Sequence, residues 1–225
     1  MIRRGIAVAV IALSMVAVAA MPAAADHSWN GYHWAGVGDR SPAVVDKTAG
    51  GDPLGRFEVP AAVDEWAALN TPMQPVSASS GPVEVLAKRG SAQWIGLAQI
   101  QVSGSHITSG RVTLNTLYYN SYNAAEWDYV VCQELGHIWG LGHVDEDFNN
   151  PDQGTCMDYT DNMAQNAAPN QHDAQELNAI YAHDDGGSGG GGGSGGPNCD
   201  KNPNKPPCQG ARDGQWITVH VFWAR

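Results

Sequence analysis

The chain has 225 residues and a formal net charge of −11 at pH 7. This length suffices for one domain with a substantial hydrophobic core plus an appendage. The acidic balance argues against nucleic acid or an anionic membrane as a partner, because both are bound through clustered Lys and Arg.

The first 25 residues have the layout of a secretory signal peptide. Arg3 and Arg4 give a positive start, an apolar stretch follows over 6–21, and small residues at 23–25 offer a cleavage site. A membrane anchor is the alternative, but the stretch is short and alanine-rich, and no later run is apolar enough to span a bilayer. We therefore expect a secreted, extracellular protein.

The predicted body, residues 26–185, opens mainly with strands. Strands are predicted over 32–45 and 83–88, with a helix over 60–69 between them, since Pro60 suits a first helical turn. Two more strands, over 96–102 and 111–118, are joined by a polar loop.

Two helices complete the body. The first runs from about Asn123 to Trp139, because Asn123 and Glu126 have the spacing of a capping box. The second begins near Asn170 and carries apolar residues at helical spacing. Strands followed by a central and a terminal helix predict an α+β domain.

A linker and a tail follow the body. Residues 186–196 are only Gly and Ser, which predicts a flexible linker. The tail, residues 197–225, is a small segment that contains Cys199 and Cys208 and ends in a strand-like run over 215–223.

The four cysteines of an exported chain are expected to form disulfides, and three connectivities are open. Cys199 and Cys208 lie close together in the tail, which favours a local pair that would close it. That pairing leaves Cys132 with Cys156.

A set of metal-binding side chains lies at the end of the central helix. Gln133 and His137 are four residues apart and share a face, with Glu134 about 100° around the helix between them. Gly140 lets the chain leave the helix, so that His143 can return as a third ligand. Three ligands and one open position suit catalytic Zn²⁺, which activates a water that Glu134 deprotonates for attack on a carbonyl.

The segment from Gln133 to His143 resembles the metzincin motif His-Glu-x-x-His-x-x-Gly-x-x-His at every fixed position except the first. Cys156-Met157-Asp158-Tyr159 resembles the metzincin Met-turn. The body resembles a matrixin-type catalytic domain, closest to a bacterial secreted group in which Cys-Gln-Glu begins the motif. The resemblance implies a zincin-like fold, with a twisted mixed sheet, a long active-site helix and a C-terminal helix.

The resemblance also implies roles for residues around the zinc. Tyr159 would act as a fifth metal ligand or as a donor to the oxyanion, and Met157 would form a structural floor. A disulfide between Cys132 and Cys156 would tie the helix to this floor. An extended peptide or protein substrate would pair with an edge strand, which chain order places at 96–102.

Gln133 is the main departure from the motif. It offers only a neutral carbonyl oxygen, which zinc prefers less than imidazole, so weaker zinc binding is expected. No pro-segment with a cysteine switch fits between Ala25 and Tyr32, so an enzyme would be active as secreted or controlled by something else.

The sequence therefore predicts a monomeric, secreted zinc-dependent endopeptidase. The alternative is a catalytically inactive metzincin-like protein that kept the cleft to bind peptides. Acidic and amide residues over 145–152 offer oxygen ligands for Ca²⁺, but a solvated acidic loop is favoured because no fixed ligand spacing is present. The other histidines are interpreted as solvated, capping or tail residues: His27, His33, His106, His172, His183 and His220.

Overall fold

The computed structural model describes residues 27–36, 40–183, 185 and 214–224. The predicted signal peptide, the predicted linker, and the cysteines at 199 and 208 lie outside these residues. Within the described ranges, no helix combines the length and the apolar character needed to cross a bilayer.

The fold is mixed, with one seven-stranded sheet and three α-helices among the described residues. The strands are β1 (His33–Trp34), β2 (Ala43–Lys47), β3 (Val76–Ser77), β4 (Val83–Lys88), β5 (Trp94–Ser103), β6 (His106–Asn115) and β7 (Trp216–Trp223). Their order is β3-β2-β4-β6-β5-β7, with β1 paired to β6. Strands β2, β4 and β6 run parallel, whereas β5 is antiparallel to both β6 and β7.

The bounds of two predicted strands are wrong. The predicted strand over 32–45 is two strands, because His33–Trp34 pairs with β6 whereas Ala43–Lys47 pairs with β4. The predicted loop over 103–110 is mostly strand, since β5 and β6 form a tight hairpin whose turn contains Gly104 at a φ of 63°. Glycine adopts a positive φ without steric cost, which permits this short turn.

The helices are α1 (Val59–Ala68), α2 (Ala124–Ile138) and α3 (Gln171–Ile180). The capping box predicted at the start of α2 is present: the Asn123 side chain accepts from the Glu126 backbone, and the Glu126 side chain accepts from the Asn123 backbone. Nearly every residue of α2 from Trp127 onward is buried. The helix therefore runs through the core, and its last two turns hold the predicted ligands inside the protein.

A disulfide joins α2 to the segment that resembles the Met-turn. Cys132 and Cys156 are bonded, with their Cα atoms 6.0 Å apart. A Cβ at Gly136 would collide with the sulfur of Met157, so the missing side chain lets Met157 pack directly beneath the helix. The disulfide and the packing of Met157 against Gly136 both hold the segment around Met157 against α2, just before His137.

Strand β7 covers the edge of β5. The pairing runs antiparallel from Trp94↔Trp223 to Gln101↔Trp216, with two irregularities along it. The expectation of a free edge at 96–102 is therefore wrong, because the strand-like run of the predicted tail adds to the sheet of the body. Val219 and Phe222 are buried by this pairing. Sheet edges carry unpaired N–H and C=O groups, and β7 satisfies those of β5.

Candidate metal centre

The structure brings His137 and His143 together as the spacing predicts. Gly140 has a φ of 97°, and a Cβ there would lie 2.5 Å from the Tyr32 carbonyl oxygen, so the turn after α2 requires glycine. After this turn His143 returns to the helix, and its ring lies 4.7 Å from that of His137, centroid to centroid, at 90°.

Both imidazoles present an unpaired nitrogen to the site. The Nδ1 of His137 lies 2.8 Å from the carbonyl oxygen of Leu141, which can only accept, so the proton is on Nδ1 and Nε2 carries a lone pair. The Nε2 atoms of His137 and His143 are buried and have no hydrogen-bond partner among the described residues. Metal-binding histidines commonly have their second nitrogen held by a carbonyl in this way.

The electrostatics keep both rings neutral. Burial, and then the neighbouring His220, lower the pKa of His143 to about 3. The same two causes, with His143 as a third, hold the pKa of His137 well below 6.5. Neutral imidazole is the form that binds a metal ion, so the two rings are ready to act as ligands near neutral pH.

Glu134 lies in the wall between α2 and β5. Its side chain is fully buried, and a Cβ at Gly96 of β5 would lie 2.5 Å from its Oε1. Oε1 accepts a hydrogen bond of 3.0 Å from the Nδ1 of His220. Oε2 is buried without a partner in the described part of the chain. Gly96 is therefore required for this carboxylate to fit beneath the strand.

Hydrogen bonds determine the orientation of the Gln133 side chain. Its Nε2 donates to the carbonyl oxygen of Cys156 at 2.9 Å and to the hydroxyl of Tyr129 at 3.1 Å. The Tyr129 hydroxyl donates onward to the carbonyl oxygen of Asp158, so it accepts from Gln133. The amide nitrogen is thus fully used, and Oε1 is left buried and unpaired within the described residues.

Tyr159 lies beside His143 at the mouth of the site. The two rings are 4.1 Å apart, and the Tyr159 hydroxyl lies 3.1 Å from the Nε2 of His220. Burial is the main cause of a raised pKa for this phenol, with Glu146 and Glu134 adding to it. The hydroxyl therefore stays protonated and available as a hydrogen-bond donor.

His220 was not predicted as a site residue. It is buried on β7, with its ring 4.2 Å from His137 and 4.7 Å from His143. One nitrogen from each of the three rings lies within 4.8 Å of the others. The one signal in the sequence is that a single histidine lies within an apolar, strand-forming run. His220 follows His143 by 77 residues, so local spacing could not predict the contact between them.

The buried polar atoms without hydrogen-bond partners indicate whether a metal ion fits this site. The motif contributes four buried acceptor atoms without partners among the described residues: Gln133 Oε1, Glu134 Oε2, His137 Nε2 and His143 Nε2. Each buried unpaired polar atom costs about 1–3 kcal/mol, and an ion that accepts lone pairs removes that cost. Imidazole nitrogens with oxygen donors suit Zn²⁺. The residues present therefore fit a zinc ion.

The acidic loop over 145–152 has its own hydrogen bonds. Asp145 accepts from the backbone of Asp147 and from the side chain of Asn150, and Asp147 accepts from the backbone of Asn149. The carboxylates of Asp145 and Asp147 thus organise the loop itself. This arrangement fits the favoured interpretation, a solvated acidic loop, better than a calcium site.

Comparison with known proteins finds similar solved structures, among them two of myroilysin. One, described as "Structure of myroilysin", is 14% identical with a TM-score of 0.45, and the match covers 70% of this chain and 98% of that one. The other, "Crystal structure of myroilysin", is 15% identical with a TM-score of 0.41, covering 70% and 87%. No protein-family model and no curated protein matches the chain.

Proposed function

We propose that the protein is a secreted, monomeric zinc-dependent endopeptidase that hydrolyses extended peptides, with Glu134 as general base. The observation that carries this proposal is the group of buried, unpaired acceptor atoms on the Gln133 to His143 motif. A bound zinc would lower the pKa of a water molecule and polarise the carbonyl under attack.

His137 and His143 would hold the ion, and the Oε1 of Gln133 would be the third protein ligand. The contacts of the Gln133 amide nitrogen with Cys156 and Tyr129 leave only the carbonyl oxygen for this role. The disulfide at Cys132 and Cys156 supports the same geometry, because it fixes the carbonyl that orients the amide.

The catalytic roles follow from what each side chain can donate or accept. Glu134 has one unpaired carboxylate oxygen and takes a proton from the attacking water, then returns it to the leaving amine. Tyr159 keeps its phenolic proton and donates a hydrogen bond to the oxygen that becomes negative on the reacting carbonyl. Met157 supports the site from below and takes no chemical part.

The proposal includes a latent form, since β7 lies where an extended substrate would pair with β5. Substrate peptides commonly bind by adding a strand to a sheet edge, and in this structure the described tail uses that edge. His220 also forms hydrogen bonds with both proposed catalytic side chains, through Nδ1 to Glu134 and through Nε2 to Tyr159. A peptide can reach the β5 edge only when β7 leaves it.

Proximity alone would also allow His220 to be a metal ligand. Its hydrogen bonds favour the blocking role, because donation from Nδ1 to Glu134 and acceptance by Nε2 from Tyr159 use both nitrogens of one neutral tautomer. His220→Ala separates the two roles. If His220 blocks the site, His220→Ala leaves the zinc content unchanged and raises the activity. If His220 is a ligand, the same substitution lowers both.

The proposed function is tested with Glu134→Gln in the full chain, using zinc content and chelator-sensitive cleavage of casein. We expect zinc binding and fold to be unchanged and turnover to be lost. Glu65→Gln, an exposed carboxylate on α1, is the matched control and should behave as wild type. Absence of stoichiometric zinc together with absence of cleavage in all variants would favour the alternative, a non-catalytic peptide-binding protein.

A further inference from the structure

A second cluster of metal-binding side chains lies outside the candidate catalytic site. It consists of His33 on β1, His106 at the start of β6, and His183 and Asp185 shortly after the end of α3. Their positions in the sequence predict only solvated or capping roles for the three histidines. The structure instead places the Nε2 atoms of all three around one oxygen of Asp185.

Four of the six distances between the ligand atoms match the edges of a tetrahedral metal site. The Nε2 atoms of His33, His106 and His183 lie 3.4, 3.3 and 3.2 Å from the Oδ1 of Asp185. The Nε2 atoms of His33 and His183 are 3.2 Å apart. Ligands about 2.0–2.1 Å from a tetrahedral zinc are separated by about 3.3–3.4 Å, the edge of the tetrahedron. Four of the six edges thus have about the length that a tetrahedral zinc ion requires.

The hydrogen bond that His33 makes through Nδ1 favours a cation at the centre of the cluster. Its Nδ1 lies 2.8 Å from the carbonyl oxygen of Gly31, which only accepts, so Nδ1 carries the proton. In the neutral ring Nε2 then has a lone pair that faces the lone pairs of Asp185 Oδ1. Charge-assisted hydrogen bonds are shorter, about 2.7–2.9 Å, so these contacts fit a shared metal ion better than a shared proton.

Surrounding groups hold the carboxylate in place. The Oδ2 of Asp185 accepts a hydrogen bond of 3.2 Å from the backbone of Gly36 and lies 3.8 Å from the guanidinium of Arg40. The same guanidinium donates to the carbonyl oxygens of Gly36 and His183 at 2.8 Å each. Such support around a ligand is typical of metal sites. It leaves Oδ1 directed at the three imidazoles.

We propose that His33, His106, His183 and Asp185 bind a structural Zn²⁺ ion. Four protein ligands fill a tetrahedral shell, so the site would have no open position for chemistry. It would instead fasten β1, the β5–β6 hairpin and the end of α3 to one another. His106 and His183 are partly exposed, which gives the ion a path from solvent. This inference is independent of the proposed peptidase activity.

The test is zinc stoichiometry by native mass spectrometry, with thermal unfolding as a second readout. We expect two zinc ions per wild-type chain and one in His106→Ala or Asp185→Asn, with affinity at that site lowered at least 100-fold. The melting temperature should fall with the loss of this ion. Asp64→Asn, which removes an exposed carboxylate on α1, should keep both ions. Circular dichroism verifies that the variants fold.

The outcomes separate this site from the catalytic one. His137→Ala should remove the other ion and leave the structural ion bound. A single ion that is lost in His106→Ala and kept in His137→Ala would support the structural site and contradict the proposed catalytic zinc. Unchanged zinc content in both His106→Ala and Asp185→Asn would overturn the inference. Substitution with Co²⁺ gives a further check, because a four-coordinate site produces intense visible absorption, and the part of it that comes from this site should be lost in His106→Ala and kept in His137→Ala.

Discussion

Shortening Phe222 should activate the protein by releasing β7. Phe222 is buried where β7 pairs with β5, and its ring packs 5.9 Å from that of Tyr129 on α2. Truncation of a buried phenylalanine costs about 3–5 kcal/mol. If about 3 kcal/mol is lost from docking of β7 alone, the open population rises up to roughly 100-fold, since each 1.4 kcal/mol is a factor of ten.

The assay is cleavage of a quenched fluorescent peptide by Phe222→Ala at substrate concentrations below KM. Only the open form binds substrate, so the apparent rate scales with its population until the chain is mostly open. Val219→Ala, which shortens another buried side chain of β7, should act in the same direction with a smaller effect. Trp223→Ala is the control, because Trp223 is 60% exposed and contributes little to docking.

The refuting result is specific. If Phe222→Ala folds and binds zinc as the wild type does, yet cleaves no faster than Trp223→Ala, β7 does not block the site. A rate that falls in Phe222→Ala and Val219→Ala would show that β7 is part of the active enzyme.

Three further perturbations test single side chains. Glu134→Gln should lower kcat by about 10²–10⁴-fold at unchanged zinc content, measured by peptide hydrolysis and metal analysis; retained turnover would exclude Glu134 as the base. Gln133→His should raise zinc affinity about tenfold or more in competition with a chelating dye, and an unchanged affinity would count against Gln133 as a ligand. Burial, with Glu58 and Glu65 nearby, raises the pKa of Asp128 to about 6, so the native state loses stability as pH rises from about 4 to 6. Asp128→Asn should therefore raise the free energy of unfolding at pH 7 by about 1–2 kcal/mol, after allowance for partial exposure, and leave it unchanged at pH 3; equal effects at both pH values would contradict the assignment.

The parts of the fold with local signals were predictable from the sequence. The capping box at Asn123 and Glu126 marks the start of α2, because its donors and acceptors lie within four residues. Helical spacing and Gly140 likewise predict that His137 and His143 meet. The Cys132–Cys156 bond follows the resemblance to the Met-turn segment.

Contacts between distant segments were not predictable in this way. The run that contains His220 reads as a strand, but its pairing with β5 depends on an edge that only the folded sheet defines. The cluster of His33, His106, His183 and Asp185 has the same origin, since its members come from β1, β6 and the segment after α3. Their spacing along the chain carries no metal-binding pattern, and the pairing of β1 with β6 brings His33 and His106 together.

The most direct test of the central claim is zinc-dependent peptide cleavage by the Phe222→Ala chain. Cleavage of a fluorescent peptide is measured before chelation, after removal of metal, and after Zn²⁺ is restored, in parallel with the same chain carrying Glu134→Gln. We predict activity that disappears with the metal, returns with zinc and is absent throughout in the Glu134→Gln chain. Cleavage that survives removal of the metal, or that proceeds equally well without Glu134, would contradict the assignment.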